Sequence, residues 1–222
     1  MSATQIAGQI TSPTDISAVQ AQGSTISTSV TLPVSPSTFT FWAGFDGTNN
    51  IASNPAYSGD IQSTAVGSLW GQIDRAQKAT SNANVGVGYY AGVGTPGTAL
   101  GSSVFPTQQA IVTATNAYNE FAAAAETWLQ SHPGGTVTTM LASFSRGSIA
   151  AAIFSQMLYT KGLVALDGTM LIKPGQVGVS ANLVISGVNS GGNGDVPFAH
   201  NVQNSIQVVA ANDAVFEMRR AA

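Results

Sequence analysis

Short apolar runs alternate along this chain with longer stretches in which apolar side chains have helical spacing. The short runs, rich in β-branched and aromatic residues, predict strands at 38–45, 85–93, 136–143 and 181–188. The longer stretches predict helices at 60–79, 108–129 and 148–158. A last helix is predicted from the spacing of Val202, Ile206, Val209, Asp213 and Phe216. Strands that alternate with such helices favour an α/β fold with a mainly parallel sheet and helices on both faces.

The first part of the chain lacks this pattern. Residues 1–36 are rich in Ser, Thr and Gln, which predicts a loosely ordered arm or an edge hairpin. The rest of the chain, 37–222, is long enough for one domain with a sizeable core, because 44% of all residues are hydrophobic.

Charge is scarce in this chain. Only 8% of residues are charged, the formal net charge is −3, and Arg219–Arg220 is the largest basic cluster. We therefore expect no nucleic-acid partner. Cysteine is absent, which excludes disulfides and thiolate metal ligands, and no His or carboxylate cluster has metal-ligand spacing. We expect neither a metal nor another cofactor.

The sequence also bears on membranes and export. No apolar run approaches the roughly 18 residues of a membrane-spanning helix, so we expect no transmembrane segment. The first basic residue is Arg75, so the start of the chain lacks the basic region of a secretory signal peptide. We expect a cytoplasmic protein in the producing cell, unless another export route carries it.

The segment Ser-Phe-Ser-Arg-Gly at 143–147 carries the strongest chemical signal. It lies between a predicted strand, "TVTTMLAS", and a predicted buried helix, "SIAAAIFSQML". A serine on a sharp strand-to-helix turn is the nucleophile elbow of α/β-hydrolases, with small residues flanking the turn. Here Ser145 would be the nucleophile, and Gly147 supplies one of the two small residues. The alternative is a serine that only caps the helix.

Asp46-Gly47 directly follows the first predicted strand. In a parallel sheet the loops at the carboxyl ends of strands line the site, so this loop can face Ser145. Gly47 would let its backbone approach a ligand closely, and its N–H is a candidate oxyanion donor. The alternative is an ordinary Asp-Gly turn.

The chain has two histidines, and a serine nucleophile needs a base and an orienting acid. His132 belongs to the turn before the elbow strand, so we interpret it as a solvated turn residue. The order Ser145, Asp195, His200 matches the order of the triad in α/β-hydrolases. Asp195 and His200 are therefore the candidate acid and base, although they are only five residues apart.

Residues 92–97, "GVGTPG", match the glycine spacing of a dinucleotide-binding loop. That function requires a helix that opens within the loop and an acidic residue that closes the next strand. Here Pro96 and a long loop intervene, and Glu120 falls inside a predicted helix. The sequence therefore does not favour nucleotide binding.

Three motifs, each at a predicted strand end, carry a family resemblance. "FDGTNN" (45–50), "YYAGVGT" (89–95) and "FSRG" (144–147) occur in this order, and "VVAANDAVFEMRR" (208–220) follows the fourth strand. Together they resemble the α/β-hydrolase-like catalytic domain of type VI secretion phospholipase effectors, the first lipase-effector class. The resemblance runs from about residue 38 to the end of the chain.

The resemblance implies a lipase- or phospholipase-like serine hydrolase. Ser145 would attack a phospholipid ester and form an acyl-enzyme. The backbone N–H groups of Gly47 and Arg146 would bind the oxyanion, and Asp46 would belong to the same binding loop. It also implies a secreted antibacterial effector, delivered by type VI secretion to a target cell, with the secretion apparatus and an immunity protein as partners.

Two departures from the family pattern leave alternatives open. The family's Asp-Thr-Val, which carries the triad acid, corresponds to Ser186-Gly187-Val188, and its His-x-Asp-Val-Gly-Gly segment has no match. The chain is then a C-terminally truncated piece of an effector, or a divergent member that recruits Asp195 and His200. The third alternative is a degenerate, non-catalytic interaction domain.

Overall fold

A computed structural model describes residues 37–96, 106–187 and 197–209. In chain order its strands and helices are β1 (Thr38–Phe45), a 3₁₀ turn (Pro55–Ser58), α1 (Ala65–Thr80), β2 (Val85–Tyr90), α2 (Pro106–Ser131), β3 (Thr136–Phe144), α3 (Gly147–Lys161), β4 (Leu163–Val164), β5 (Met170–Ile172), β6 (Gly178–Ile185) and β7 (Ser205–Val208).

Five of these strands form one parallel sheet in the order β2-β1-β3-β6-β7. All five therefore end at the same edge, which we call the carboxyl edge, and begin at the opposite amino edge. The order reverses between β1 and β3, and in open parallel sheets ligands bind outside the carboxyl ends of the strands at such a reversal. The short strands β4 and β5 pair separately as a hairpin.

Helices cover both faces of the sheet, so the predicted α/β fold is confirmed. Side chains of β1 alternate between the two faces, as the period of two in a strand requires. Phe39, Phe41 and Phe45 pack into the larger core with α2 and α3. Trp42 faces the other side and packs with Val66 of α1.

The end of the chain differs from the sequence prediction. A helix was expected through Val202 and Ile206, but Ser205–Val208 form β7, which pairs with β6. Val202 already makes a parallel bridge to Val179. The helical prediction is therefore wrong up to Val209, and residues 210–222 lie outside the described residues, as do the arm 1–36 and the loop at 189–195.

Helix α1 starts later than its apolar spacing predicts. The Thr64 side chain accepts a hydrogen bond from the Gly67 N–H at 3.0 Å and caps the helix, which begins at Ala65. Ile61 therefore lies outside the helix and is 96% exposed. The fourth predicted strand also shifts, since β6 begins at Gly178 and ends at Ile185, and the β4–β5 hairpin was not predicted.

Phe121 should be one of the most costly core positions to truncate. It is fully buried, and its ring lies 5.1 Å from that of Phe41 and 6.2 Å from that of Phe154. We expect Phe121→Ala to lower the free energy of unfolding by about 3–5 kcal/mol, because the truncation leaves a cavity between Phe41 of β1 and Phe154 of α3. Urea unfolding measures this change.

The control is Val112→Ala on the same helix, where the side chain is 40% exposed. We expect that change to cost less than about 1 kcal/mol, since little apolar contact is lost. Equal costs at the two positions would contradict the described packing of α2.

Candidate active site

Ser145 lies on a sharp turn between β3 and α3. Its φ angle is +50°, and its N–H still donates to the Ile185 carbonyl at 3.0 Å. The Ser145 carbonyl accepts bonds from the N–H (3.2 Å) and the hydroxyl (2.8 Å) of Ser148. Left-handed backbone costs a non-glycine residue about 1–2 kcal/mol. The turn is therefore strained and is held in place by the strand before it and the helix after it.

Gly147 lets the start of α3 lie directly against the end of β1. An added Cβ would overlap the carbonyl oxygens of Phe45 and Asp46, so a side chain cannot be accommodated. Ser143, at the other flank of the turn, is fully buried in β3. The small residue expected at position 147 thus has a steric cause.

Backbone strain concentrates at the carboxyl edge. Of the described residues, four that are not glycine have positive φ. One is Ser81, an ordinary cap at the end of α1. The other three are Asn49 (φ 62°), Ser145 (φ 50°) and Ser186 (φ 43°), and each follows one of the adjacent central strands β1, β3 and β6. Strain of this kind clusters at functional sites, which makes this edge the candidate site.

The Asp46 carboxylate is the polar centre of this edge. It is 2% exposed, and its Oδ2 accepts bonds from the Tyr89 hydroxyl at 2.7 Å and the Thr64 hydroxyl at 2.9 Å. Its Oδ1 accepts the Gly47 N–H at 2.8 Å. That N–H is therefore engaged in the described structure, and its role as an oxyanion donor stays a prediction.

Asp46 also ties three segments together. Thr64 caps α1, and the Tyr89 hydroxyl at the end of β2 accepts the Ala52 N–H at 2.8 Å. Burial raises the pKa of Asp46, and the hydrogen bonds from Tyr89, Gly47 and Thr64 oppose that rise only in part. Burial, with the Asp46 carboxylate as a second cause, also raises the pKa of Tyr89. Asp46 thus has a positioning role in the described structure.

The loop after β2 supports the turn after β1. An added Cβ at Gly92 would overlap the Gly47 carbonyl oxygen. Gly92 N–H donates to the Asn50 carbonyl, and Asn49 N–H donates to the Val93 carbonyl, both at 2.9 Å. Gly92, the first glycine of the "YYAGVGT" motif, is therefore explained by backbone packing, which requires no bound dinucleotide.

Arg146 lines a small cleft at the carboxyl edge. Phe45 and Asp46 of the β1 end, Tyr90 and Gly92 of the β2 end, and Thr113 of α2 form its other walls. Arg146 precedes the first residue of α3, where backbone N–H groups point out of the helix. Its role as an oxyanion donor remains a prediction.

His200 does not reach Ser145. It lines a groove with Thr136 and Gly178, the first residues of β3 and β6, and its ring packs edge-on against Tyr159. Strand β3 has nine residues, so about 25–30 Å separate this groove from the carboxyl edge. The cause is topological: the residues before a parallel strand must lie at the amino edge. His200 is therefore not the base in this arrangement.

The second histidine also lies at the amino edge. The His132 ring stacks on Trp128 with centroids 4.1 Å apart, and its Nδ1 lies 2.9 Å from the Trp128 carbonyl oxygen. This agrees with its interpretation as a turn residue. Asp195, the predicted acid, lies outside the described residues.

Ser186 corresponds to the triad acid of the resembled family, and the next residue, Gly187, lies beside the elbow. A Cβ on Gly187 would sit 3.4 Å from Cβ and Oγ of Ser148, the second residue of α3. The described residues at this position, Ser186 and Gly187, carry no carboxylate.

Thr48 is a residue that the sequence analysis did not single out. Its hydroxyl oxygen is buried and has no hydrogen-bond partner among the described residues. Such a group costs about 1–3 kcal/mol if nothing satisfies it. No sequence signal distinguishes this threonine from an ordinary turn residue.

Comparisons with known proteins leave the chemistry of this edge open. No protein-family model matches the chain, and no curated protein matches it. The chain is similar to a crystal structure of an uncharacterized protein from Pseudomonas aeruginosa, with 12% sequence identity and a TM-score of 0.42. The match covers 94% of this chain and 40% of that one, so the chain spans less than half of that protein's length.

Two kinds of feature are absent from the described residues. They contain no group of three or more His, Cys, Asp or Glu side chains that could hold a metal ion. None of the helices within the described ranges is long and apolar enough to span a membrane.

Strain at Ser145 predicts an unusual response to glycine. We expect Ser145→Gly to be about 1 kcal/mol more stable than Ser145→Ala, because only glycine adopts a φ of +50° without a steric cost. Chemical denaturation of the two variants measures the difference. The control is the same pair at Ser68, an exposed position inside α1, where the alanine variant should be the more stable. Glycine and alanine variants of equal stability at position 145 would contradict the strain.

Burial of Asp46 predicts a pH dependence of stability. Because its pKa is raised above 3.8, the native state binds this proton more tightly than the unfolded state. The contribution of Asp46 to stability should therefore fall as pH rises from about 3.8 through the native pKa, and stay constant above it. An asparagine side chain does not titrate, so the stability of wild type relative to Asp46→Asn should fall across that interval in urea unfolding.

Asp167 supplies a control of opposite sign. Hydrogen bonds from Thr169 lower the pKa of this exposed carboxyl. The stability of wild type relative to Asp167→Asn should therefore rise with pH below about 3.8. If the stability of wild type relative to Asp46→Asn instead rises with pH, the hydrogen bonds of Asp46 outweigh its burial.

Proposed function

We propose that this chain carries the nucleophile of a serine ester hydrolase with an α/β-hydrolase-like fold. The observation that supports the proposal most strongly is Ser145 itself, a strained serine between a central parallel strand and a helix. Catalytic serines of α/β-hydrolases occupy turns of this kind. The two other residues with left-handed backbone at this edge, Asn49 and Ser186, follow β1 and β6, the strands on either side of β3.

The proposed reaction is acyl transfer through Ser145. Its Oγ attacks the ester carbonyl carbon, the carbonyl π pair moves onto oxygen, and the hydroxyl proton passes to a general base. The tetrahedral intermediate collapses with loss of the alcohol and leaves an acyl-enzyme, which water then hydrolyses. The backbone N–H of Arg146, just before the first residue of α3, is the proposed donor to the developing negative charge.

The general base of this reaction is not a described histidine. His132 and His200 both lie at the amino edge, so we assign the base to a residue outside the described part of the chain. Asp195 is one candidate for the acid or base. The other candidate is a residue from a further segment of a longer polypeptide. Lipid esters are the proposed substrate class, delivery by type VI secretion the proposed route, and an immunity protein a proposed partner. All three rest on the motif resemblance alone.

A second function is a non-catalytic interaction domain of the same fold. It is favoured by one observation: Ser186, which directly follows β6 and corresponds to the family's triad acid, carries no carboxylate. In that case the strained turn is retained without an activated serine.

Reaction with a fluorophosphonate probe tests the proposed function. We expect covalent labelling of the folded chain at Ser145 and none of Ser145→Ala, because the probe reacts with activated serine hydroxyls. Mass spectrometry of the labelled peptide identifies the site. Ser143→Ala, two residues away, is the matched control and should keep the label.

Release of fatty acid from phospholipid vesicles extends the test to the substrate. We expect release by wild type to exceed that by Ser145→Ala by several orders of magnitude. A folded wild-type chain that takes no label would favour the interaction domain, and labelling without fatty-acid release would reject only the lipid substrate.

A further inference from the structure

The side chain of Ser148 holds the peptide unit between Ser145 and Arg146. The Ser145 carbonyl oxygen accepts the Ser148 hydroxyl at 2.8 Å and the Ser148 N–H at 3.2 Å. The hydroxyl bond has the usual length for an O–H donor, whereas the N–H bond is longer than the usual distance of about 2.9–3.0 Å. The hydroxyl is therefore the stronger of the two donors on this carbonyl.

This bond stands in for an ordinary helix cap. Arg146, the residue before α3, makes no side-chain hydrogen bond that caps the helix. Ser148 is the second residue of α3, and its hydroxyl bonds backward to the residue before Arg146. On the other side, the Ser145 N–H donates to the Ile185 carbonyl at 3.0 Å. The strained Ser145 is thus fixed by β6 through its N–H and by Ser148 through its carbonyl.

The Ser145 carbonyl and the Arg146 N–H belong to one peptide unit, which is trans. Such a unit is planar, so its C=O and its N–H point in opposite directions. Because the carbonyl points toward Ser148 inside α3, the Arg146 N–H points away from the helix. The Ser148 hydroxyl therefore sets the direction of the N–H that is the proposed oxyanion donor.

We propose that Ser148 is a positioning residue that aims the Arg146 N–H at the oxyanion formed on the Ser145 ester. This role rests on the proposed function. As Ser145 Oγ bonds to the ester carbonyl carbon, the π pair moves onto oxygen, and the Ser145 proton passes to an imidazole or carboxylate base. A donor stabilises that oxygen best if it already points at it, because reorientation during the reaction costs energy. Without the hydroxyl, the Ser145 carbonyl keeps only the longer bond from the Ser148 N–H.

The experiment measures the second-order rate of fluorophosphonate labelling at Ser145 and the urea midpoint of unfolding, both on the full chain. In the labelling reaction Oγ bonds to phosphorus, fluoride leaves, and the hydroxyl proton passes to the base. The phosphoryl oxygen takes the place of the ester oxyanion, so the rate reports on the donor.

Two variants separate the hydroxyl from the rest of the side chain. We expect Ser148→Ala to be labelled about tenfold more slowly than wild type, which is less than the roughly 10²–10³-fold loss of a whole donor, because the N–H bond remains. Ser148→Thr keeps the hydroxyl, so its labelling rate should stay within about threefold of wild type.

Ser155→Ala is the matched control on the same helix. The Ser155 hydroxyl donates to the Ala152 carbonyl at 2.7 Å, which is the same backward bond over three residues, and accepts the Ala199 N–H at 3.1 Å. This variant should lower the urea midpoint, because the Ala199 N–H loses its partner. Labelling of the folded variant should stay at the wild-type rate.

Four results overturn the inference, and they can be told apart. If Ser148→Ala is labelled as fast as wild type, the hydroxyl does not aim the donor, while the proposed function stands. If Ser148→Thr is as slow as Ser148→Ala, the fit of the serine and not its hydroxyl decides the rate. If Ser155→Ala is slowed equally, a general loosening of α3 is the cause. If folded wild type takes no label at all, the proposed function fails, and the role of Ser148 fails with it.

Discussion

The geometry of the carboxyl edge depends on how closely helix α3 approaches the end of strand β1. Gly147 lies against the carbonyl oxygens of Phe45 and Asp46, where no side chain fits. The chain must therefore pass from β3 into α3 through Ser145 and Arg146 alone. Ser145 still belongs to the sheet through its N–H bond to Ile185, so the change of direction falls on its own φ angle. Burial of α3 residues such as Phe154 and Leu158 offsets the strain.

The Asp46 carboxylate is the second constraint, and it depends on the first. Three donors converge on it, and a carboxylate suits them because it only accepts hydrogen bonds. The bonds fix the end of β1 relative to α1 and β2, which keeps the turn at Gly47 in place beside the elbow. The same bonds use the N–H that a simple Asp-Gly loop would offer to a ligand. In the described structure the Gly47 N–H therefore holds the turn in place and is not open to a ligand.

Local sequence patterns predict what local forces decide. The strand at 38–45, the small residue at Gly147 and the turn position of His132 follow from neighbouring residues, and the structure agrees with each. The His132 ring is half-buried against Trp128, whereas a solvated side chain was expected. The helix expected through Ile206 was wrong because its apolar spacing suits both a helix and a short strand. Pairing with β6 decides between them, and that partner is about 20 residues away in the sequence.

In the candidate site, too, the hydrogen bonds depend on residues that are far apart in the sequence. "FDGTNN" predicts a turn after a strand, but nothing in it indicates that Tyr89 and Thr64 bond to the Asp46 carboxylate. Those partners are 43 and 18 residues away, and they determine that Gly47 N–H is occupied. The unpartnered hydroxyl of Thr48 is likewise visible only after the loop from β2 has packed against the turn. The sequence therefore locates the edge, whereas the donors within it depend on tertiary contacts.

Parallel topology also explains why the sequence order Ser145, Asp195, His200 does not bring His200 close to Ser145. In a parallel sheet every segment that precedes a strand lies at the amino edge, and every segment that follows one lies at the carboxyl edge. His132 precedes β3 and His200 precedes β7, so both are separated from Ser145 by the length of a strand. A base for Ser145 should instead come from sequence that follows a strand. Asp195 and His200 both fall between β6 and β7 in the sequence; Asp195 lies outside the described residues, and His200 lies at the amino edge.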